Sequence, residues 1–435
     1  MQRLLLKKLV QWKHKSDRKP LIIQGARQVG KTWLMKEFGL THYKNVAYVN
    51  FETALSLRSI FENGFEVAKL VLALKIGTGI EIIAGETLII LDEIQECESA
   101  LTSLKYFQEN GNQYHIIAAG SLLGVAMNKQ RSFPVGKVEF LELHPLNFSE
   151  FLLALNETQL LSLIQQKQWD LITGFKSKYI DLLKQYYFVG GMPEAVLTFV
   201  NQTDFKKVRE KQLNILAAYE QDFSKHAPNE IVPRIRLVWQ SLPSQLAKEN
   251  RKFIYGNLKQ GARAREFELA IEWLCDAGIV QKVIRCNKPG MPLIAYAVLS
   301  DFKLFLLDVG LLAAMGNLDI KTLISENSLF EEFKGALTEQ YVLQQLKALD
   351  KLPIYYWSAE KATAEVDFLV QYENQIIPIE VKAAENLKAK SLKAYHQKFN
   401  PETTIRTSLS DYRVEDWLIN LPLYAFSSFL DETTL

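Results

Sequence analysis

The stretch that decides the fold runs from residue 20 to residue 38 and reads Pro20-Leu21-Ile22-Ile23-Gln24-Gly25-Ala26-Arg27-Gln28-Val29-Gly30-Lys31-Thr32-Trp33-Leu34-Met35-Lys36-Glu37-Phe38. Its centre, residues 25–32, fits the pattern Gly-x4-Gly-Lys-Thr in full. An apolar segment precedes the pattern and a helix-forming segment follows it. This strand, loop and helix context distinguishes a phosphate-binding loop from a chance match. The sequence therefore predicts a loop that binds the phosphates of a nucleoside triphosphate.

Each residue type in this loop has a physical role in holding phosphate. The glycines let backbone N–H groups turn toward phosphate oxygens, and the N-terminus of the following helix adds a partial positive charge. We expect Lys31 to reach the β- and γ-phosphates and Thr32 to hold Mg2+. The predicted nucleotide-binding residues are Gly25, Ala26, Arg27, Gln28, Val29, Gly30, Lys31, Thr32 and Asp92.

Two carboxylates, Asp92 and Glu93, follow a second apolar segment, residues 87–91. Ligands collect at the carboxyl ends of strands in open α/β sheets, so we expect Asp92 to hold Mg2+ together with Thr32. Glu93 is predicted to act as general base on the attacking water. Binding alone needs no base, so this pair favours ATP hydrolysis.

Ser121 follows a further apolar segment, residues 116–119. A small polar residue at a strand end can sense the γ-phosphate or the attacking water. It can equally cap the helix that begins at residues 122–124. Both interpretations stay open at this stage.

Composition limits the class of protein. A chain of 435 residues is too long for one core, so several domains are expected. The net charge of +2 neither demands nor excludes nucleic acid. No apolar run approaches the length of a membrane span, and Cys97, Cys275 and Cys286 show no metal-ligand spacing. We expect a cytoplasmic protein with reduced thiols and no membrane partner.

Hydrophobic patterning divides the chain into four parts. Candidate strands at residues 21–23, 46–50, 87–91 and 115–119, three of which are nearly continuous apolar runs, alternate with helical stretches, which predicts a parallel sheet in an α/β fold. Helical patterns follow, then short helices with a β-ribbon, then a last α/β unit. We predict a P-loop ATPase core at 1–155, a helical region at 156–228, which is the lid that the resemblance described below implies, a winged-helix module at 229–325 and a C-terminal α/β domain at 326–435.

The predicted winged-helix module carries a local basic cluster, which consists of Lys248, Arg251, Lys252, Lys259, Arg263 and Arg265. In such folds a helix can enter the major groove of DNA while basic residues contact phosphates. A solvated helical face beside an interdomain contact explains the same pattern, and winged helices also dock proteins. DNA and a protein are therefore both candidate partners.

Three polar residues come together in a predicted hairpin near the C-terminus. A turn at residues 373–374 would bring Asp367 on one strand close to Glu380 and Lys382 on the next, where these two share a face. Two carboxylates can bind Mg2+ or Mn2+, and the lysine can position or activate water for attack on a phosphodiester. Glu339, on a preceding amphipathic helix, is a candidate third acidic ligand.

Several motifs carry a resemblance to a known group. The loop at 25–32, Leu-Asp-Glu-Ile-Gln at 91–95, Ala-Gly-Ser-Leu-Leu at 119–123 and the segment 143–151 resemble AAA-like P-loop ATPases of bacteria and archaea. The resemblance implies an AAA-like core, a helical lid, a winged helix and a nuclease-like C-terminal fold. Many relatives have Gly-Arg where this chain has Gly136-Lys137, and lysine lacks the planar fork of a γ-phosphate sensor. Arg131 and Arg27 are other candidates for that role.

The C-terminal residues resemble a second family. Asp367, the Glu-x-Lys of residues 380–382 and a preceding helical Glu339 are similar to the PD-(D/E)xK nuclease superfamily, with Val366 where that pattern has proline. The resemblance implies a restriction-endonuclease-like α/β fold over about the last hundred residues. Folds of this kind serve as nucleases or as binding scaffolds, and both remain open.

These observations lead to one main hypothesis and two alternatives. The main hypothesis is an ATPase that binds ATP, ADP and Mg2+ and drives a winged-helix and nuclease-like module acting on DNA or a partner. The first alternative is a nucleotide-gated, metal-dependent DNA nuclease. The second is a signalling or scaffold ATPase that binds protein and not DNA. The sequence leaves homo-oligomer formation open.

Overall fold

The computed structural model describes residues 1–121, 123–127, 134, 136–248, 252–324, 331–349, 352–359, 364–385 and 389–427. It consists of two compact units. The first unit contains Gln2–His144 together with the short segment Asp276–Ile279. The second unit contains Met1, Pro145–Cys275 and Val280–Leu435. None of the described helices is long and apolar enough to cross a membrane.

A five-stranded sheet forms the centre of the first unit. Its strands are β1 (Leu21–Gln24), β2 (Asn45–Asn50), β3 (Thr87–Asp92), β4 (His115–Ala119) and β5 (Glu139–Glu142). The order is β2-β3-β4-β1-β5, and every neighbouring pair is parallel. The predicted parallel sheet and its first four strands are confirmed. Because β4 lies between β1 and β3, the carboxyl ends of these three strands lie side by side.

Helices pack against this sheet and enclose an apolar core. They are α1 (Leu5–His14), α2 (Lys31–His42), α3 (Leu55–Glu62), α4 (Val67–Thr78), α5 (Glu98–Asn110) and α6 (Leu123–Met127). Strands β3 and β4 are buried along their whole length, as their continuous apolar sequence predicts. Phe51, Phe61 and Leu91 are among the core residues with no exposed surface.

The segment Asp276–Ile279 belongs to the first unit although it lies far along the chain. Its Gly278 has a left-handed φ of 72°, and a Cβ on that residue would lie 3.4 Å from the Ala26 nitrogen. The Asp276 carbonyl oxygen lies against Gly124, where a Cβ would approach it to 2.3 Å. The phosphate-binding loop therefore packs against a distant segment that local sequence patterns do not reveal.

The second unit contains twelve helices among the described residues. They are α7 (Phe148–Ala154), α8 (Thr158–Gln165), α9 (Trp169–Gly174), α10 (Lys176–Val189), α11 (Pro193–Gln202), α12 (Phe205–His226), α13 (Val232–Leu246), α14 (Ala264–Asp276), α15 (Val309–Met315), α16 (Ile320–Ile324), α17 (Glu331–Ala348) and α18 (Lys390–Phe399). Helix α14 ends in the segment that belongs to the first unit.

One eight-stranded mixed sheet runs through the second unit. Its strands are β6 (Val280–Cys286), β7 (Ala297–Leu306), β8 (Ile354–Ser358), β9 (Glu365–Tyr372), β10 (Gln375–Val381), β11 (Ile405–Ser408), β12 (Arg413–Glu415) and β13 (Leu418–Pro422). The order is β12-β13-β11-β10-β9-β8-β6-β7. The predicted hairpin is confirmed, since β9 and β10 pair antiparallel across the turn at residues 373–374.

The sheet crosses the boundary predicted at residues 325 and 326. The β-ribbon expected of a winged helix is the β6–β7 hairpin, and β6 pairs in parallel with β8. The ribbon and the C-terminal strands therefore share one hydrogen-bonded sheet, although the sequence suggests two separate modules. Hydrophobic patterning shows where a strand lies but not which strand it pairs with, so this continuity is not visible in the sequence.

A buried carboxylate, that of Asp308, joins remote parts of the second unit. It accepts hydrogen bonds from the Gly191 nitrogen at 2.6 Å, the Leu311 nitrogen at 3.0 Å and Gln344 Nε2 at 3.0 Å. Gly190 makes room for it, because a Cβ there would lie 2.1 Å from Asp308 Oδ1. The side chain caps α15 and links it to the turn before α11 and to α17.

Replacing Asp308 with alanine leaves two buried backbone N–H groups without their acceptor and removes one of the acceptors of Gln344 Nε2. We expect a loss of about 3 kcal/mol or more in unfolding free energy. The measurement is the urea midpoint of the variant beside that of Glu210→Ala, which changes an exposed acid on α12. Equal midpoints for the two variants would show that Asp308 does not join these segments.

Candidate functional sites

The loop of residues 25–32 connects β1 to α2, as predicted. Gln28 and Gly30 adopt left-handed φ values of 67° and 96°. Gly25 has a φ of 144°, and the Leu143 carbonyl oxygen lies 2.3 Å from the place where its Cβ would be. Both the backbone conformation and this close approach require glycine at position 25. The loop thus has the turns that direct backbone N–H groups toward an anion.

Lys31 is almost fully buried at the start of α2, with 7% of its surface exposed. Its Nζ donates to the Gly25 oxygen at 2.9 Å and to the Ala26 oxygen at 2.8 Å. Burial lowers the pKa of this ammonium to about 8, and the charges of Glu93 and Asp92 partly oppose that shift. The lysine is therefore held within the loop by groups that a phosphate can replace.

The Asp92 carboxylate is the meeting point of three segments. Its Oδ2 accepts from the Thr32 hydroxyl at 2.7 Å and from the Tyr48 hydroxyl at 3.0 Å. Its Oδ1 accepts from the Glu93 backbone nitrogen at 3.1 Å. Hydroxyl and carboxylate oxygens are the ligands that Mg2+ prefers, so Thr32 and Asp92 fit the predicted metal.

Tyr48 is a site residue that the sequence reading missed. On β2, Tyr48 lies opposite Ile90 of β3, and Asn50 lies opposite Asp92. Because Tyr48 and Asn50 are two residues apart, the side chains of Tyr48 and Asp92 lie on the same face of the sheet. Burial and the neighbouring carboxylate raise the pKa of Tyr48 to about 12, which keeps its hydroxyl protonated as a donor. Only the strand order, β2 beside β3, reveals this role.

Glu93 follows Asp92 in a left-handed conformation, with a φ of 50°. Its Oε2 accepts from Gln95 Nε2 at 2.6 Å and from the Ser121 hydroxyl at 3.2 Å. The structure thus brings together the carboxylate and the serine that the sequence suggested. The Ser121 contact favours a place beside Glu93 over the alternative of a helix cap. Gln95 ends the motif at residues 91–95, but the sequence pattern assigned it no role of its own.

The three candidates for a γ-phosphate sensor lie in different places. Lys137 forms an ion pair with Glu109, with 2.9 Å between Nζ and Oε1. Arg27 lies within the phosphate-binding loop. Arg131 lies outside the described residues. The assignment of a sensor stays a prediction.

The C-terminal hairpin brings Asp367, Glu380 and Lys382 together as predicted. Lys382 Nζ lies 2.6 Å from Glu380 Oε1, and Asp367 Oδ2 accepts from the Val381 nitrogen at 2.8 Å. Burial, followed by the charge of Asp367, raises the pKa of Glu380 to about 7. The predicted third acid, Glu339, faces the ammonium of Lys303 at 3.8 Å. Across the described ranges, no group of three or more His, Cys, Asp and Glu side chains is arranged to hold a metal ion.

The basic cluster is less concentrated than the sequence suggests. Lys252 pairs with Asp301 at 2.7 Å, and Arg251 lies outside the described residues. The exposed members are Lys248, Lys259, Arg263 and Arg265. Helix α14 itself exposes an acidic surface with one large apolar side chain, formed by Glu266, Glu268, Leu269 and Glu272. Basic charge therefore lies at the start of this helix and before it.

Three family models match successive parts of the chain. Residues 17–152 match a model described as AAA domain. Residues 180–322 match Domain of unknown function (DUF8612), and residues 334–426 match Domain of unknown function (DUF4143). No curated protein matches the sequence.

Solved structures that match over much of the chain have low sequence identity and low TM-scores. The Walker-type ATPase of Pyrococcus abyssi is 12% identical over 72% of this chain and 94% of its own, with a TM-score of 0.46. The ORC1 protein of Aeropyrum pernix in complex with DNA is 13% identical over 74% and 92%, with a TM-score of 0.27. AMPPCP-bound DnaA from Aquifex aeolicus is 11% identical over 62% and 85%, with a TM-score of 0.26. TM-scores this low carry no information about what this chain binds.

The family match and the site geometry agree over the first part of the chain. The phosphate-binding loop, the Asp92 and Glu93 pair after β3 and the match over residues 17–152 define an AAA-type P-loop ATPase domain. The nuclease-like and winged-helix interpretations have no such support from the family descriptions, which leave both later regions without a stated function.

The lowered pKa of Lys31 predicts that ATP binding takes up protons above neutral pH. Phosphate oxygens favour the charged amine and raise its pKa, so at pH 8 binding should take up about half a proton. The measurement is calorimetry of ATP binding in buffers that differ in ionisation enthalpy. Lys31→Arg is the matched control because arginine stays charged. Equal uptake in that variant would assign the proton to another group.

Proposed function

We propose that the chain hydrolyses ATP with Mg2+ and couples the nucleotide cycle to DNA. The observation that carries hydrolysis is the position of Glu93, which lies beside the Asp92 site with Gln95 and Ser121 donating to the same carboxylate oxygen. Two donors on Oε2 fix the orientation of the carboxylate. An oriented carboxylate at the strand end is what a general base for water requires.

Each residue of the site then has a defined part in the reaction. Lys31 exchanges its loop carbonyl partners for β- and γ-phosphate oxygens and stabilises their charge. Thr32 and Asp92 would hold Mg2+, which when bound supplies charge neutralisation at the phosphates. Tyr48 holds the Asp92 carboxylate in place through its hydroxyl. Glu93 accepts a proton from the attacking water as its oxygen bonds to the γ-phosphorus and the bond to the β–γ bridging oxygen breaks, so that ADP and inorganic phosphate are the products.

We infer that DNA is contacted mainly through its phosphates. Lys259, Arg263 and Arg265 are exposed before and at the start of α14. The exposed face of α14 carries three glutamates, and acidic side chains are repelled by the phosphates that flank a groove. A basic segment beside an acidic helix favours DNA binding that depends strongly on the salt concentration and only weakly on the base sequence.

Replacing Glu93 with glutamine should lower ATP hydrolysis by about two to four orders of magnitude, because the general base is lost. ATP binding should persist, since Lys31 and Thr32 are unchanged. The measurement is phosphate release and nucleotide affinity, each with and without duplex and single-stranded DNA. The control is Glu96→Gln, which changes a nearby acid that pairs with Arg58.

Two results would contradict parts of this proposal. Hydrolysis by Glu93→Gln at the rate of the unchanged protein would remove Glu93 from catalysis. Hydrolysis that is indifferent to DNA, with no DNA bound at low salt, would favour the scaffold alternative and a protein partner.

A second candidate function is metal-dependent cleavage of DNA at the C-terminal hairpin. The observation that favours it is Glu380, which is 5% exposed and has an Oε2 with no hydrogen-bond partner in the described part of the chain. Asp367 lies near enough to raise the pKa of Glu380, and Lys382 is in direct contact with it. A buried carboxylate oxygen without a donor suits a metal ion, and Lys382 is placed to position water.

If this second function holds, Asp367→Asn and Glu380→Gln should each reduce nicking of plasmid DNA by about a hundredfold or more, because a metal ligand is lost. The assay contains Mn2+ or Mg2+ and is repeated with and without ATP. Glu373→Gln, at the exposed turn of the same hairpin, is the matched control. Intact DNA with the unchanged protein under all conditions would leave the hairpin as a binding scaffold.

A further inference from the structure

A lysine lies fully buried beside the C-terminal carboxylates, and no motif of the sequence points to it. Lys303 is on β7 and has 0% exposed surface. Its Nζ lies 2.5 Å from Glu365 Oε1 and 3.8 Å from Glu339 Oε2. The same ammonium lies 4.9 Å from the centre of the Tyr356 ring.

The strand order explains how this lysine reaches the carboxylates. Strands β6 and β8 separate β7 from β9 in the sheet. The side chain of Lys303 reaches past Tyr356 on β8 to Glu365 on β9. The β6–β7 hairpin therefore supplies a charge to a cluster whose other members come from α17, β9 and β10.

The charges in this cluster depend on one another. A buried ammonium is costly unless carboxylates neutralise it, and a buried carboxylate has the same requirement. Glu339 is 3% exposed, so water cannot neutralise it in place of a cation. The charge of Lys303 also acts on Glu380, where it favours the ionised form. Lys303 thus already supplies positive charge to the same acids that would have to bind a metal ion.

We propose that Lys303 is the resident cation of this cluster and neutralises Glu339 and Glu365 in place of a divalent metal ion. Glu339 is then a partner of Lys303 and not a metal ligand. A divalent ion bound at Glu339 would lie close to the buried ammonium, and the two cations would repel each other. Any metal site of the hairpin is limited to Asp367 and Glu380. This inference does not depend on ATP hydrolysis or on DNA cleavage.

The test is Mn2+ binding by nucleotide-free protein, measured by electron paramagnetic resonance of the free ion. All variants carry Asp92→Asn, which removes the carboxylate of the nucleotide site. Glu339→Gln should change the Mn2+ affinity by less than about twofold. Lys303→Met should tighten Mn2+ binding by about tenfold or more, because it removes the competing cation and frees two acids. Adding Glu339→Gln to Lys303→Met should reduce that gain, because only Glu365 then remains freed.

Two outcomes would overturn the proposal. One is a tenfold weaker Mn2+ affinity in Glu339→Gln alone, which would make Glu339 a ligand. The other is a folded Lys303→Met protein, verified by circular dichroism, that binds Mn2+ as the parent does. Lys303→Arg is the conservative variant and should show no gain, since it keeps a cation in place. If Lys303→Met does not fold, the result with Glu339→Gln still decides the question.

Discussion

The contact between the Thr32 hydroxyl and the Asp92 carboxylate joins the two halves of the nucleotide site. It connects the loop after β1 to the end of β3, strands that are separated in the sheet by β4. The contact forms only if all three strands end at nearly the same level, which their register ensures by pairing Ile23 with Ala119 and Leu91 with Ala118. Tyr48 from β2 reaches the same carboxylate, so a fourth strand enters the arrangement. The geometry of the site therefore depends on the register of the whole sheet, because a shift of one strand would separate these groups.

The sequence predicted those parts of the structure that depend on local order. The loop of residues 25–32, the apolar strands before and after it and the turn at residues 373–374 each carry their signal within a few consecutive residues. Asp92, Glu93 and Ser121 were predictable for the same reason, since each follows directly on an apolar strand. In the C-terminal hairpin, a period of two residues was enough to place Glu380 and Lys382 on one face.

The residues that the sequence reading missed depend on which elements lie side by side. Tyr48 and Lys303 are ordinary residues in their own segments, and they acquire a role only through a residue on another element. Gln95 is different, because it contacts Glu93 two residues away in the chain. The packing of Asp276–Ile279 with the phosphate-binding loop is of the same kind, because these segments are far apart in the chain. Asp308 likewise binds a turn and two helices that no local pattern connects. Buried polar groups of this kind are costly unless each one finds its partner, so they favour a single arrangement of the chain.

The shared sheet of the second unit determines whether the two matched regions that contribute its strands could exist as separate domains. The hairpin β6–β7 lies within residues 180–322, and the six remaining strands lie within residues 334–426. If a chain began at residue 326, β8 would lose its parallel neighbour and become an edge strand with unpaired backbone groups. Such an edge is a template for pairing with other chains and hence for aggregation. The two regions are therefore not freely exchangeable pieces, and evolution is expected to inherit, duplicate or lose them together.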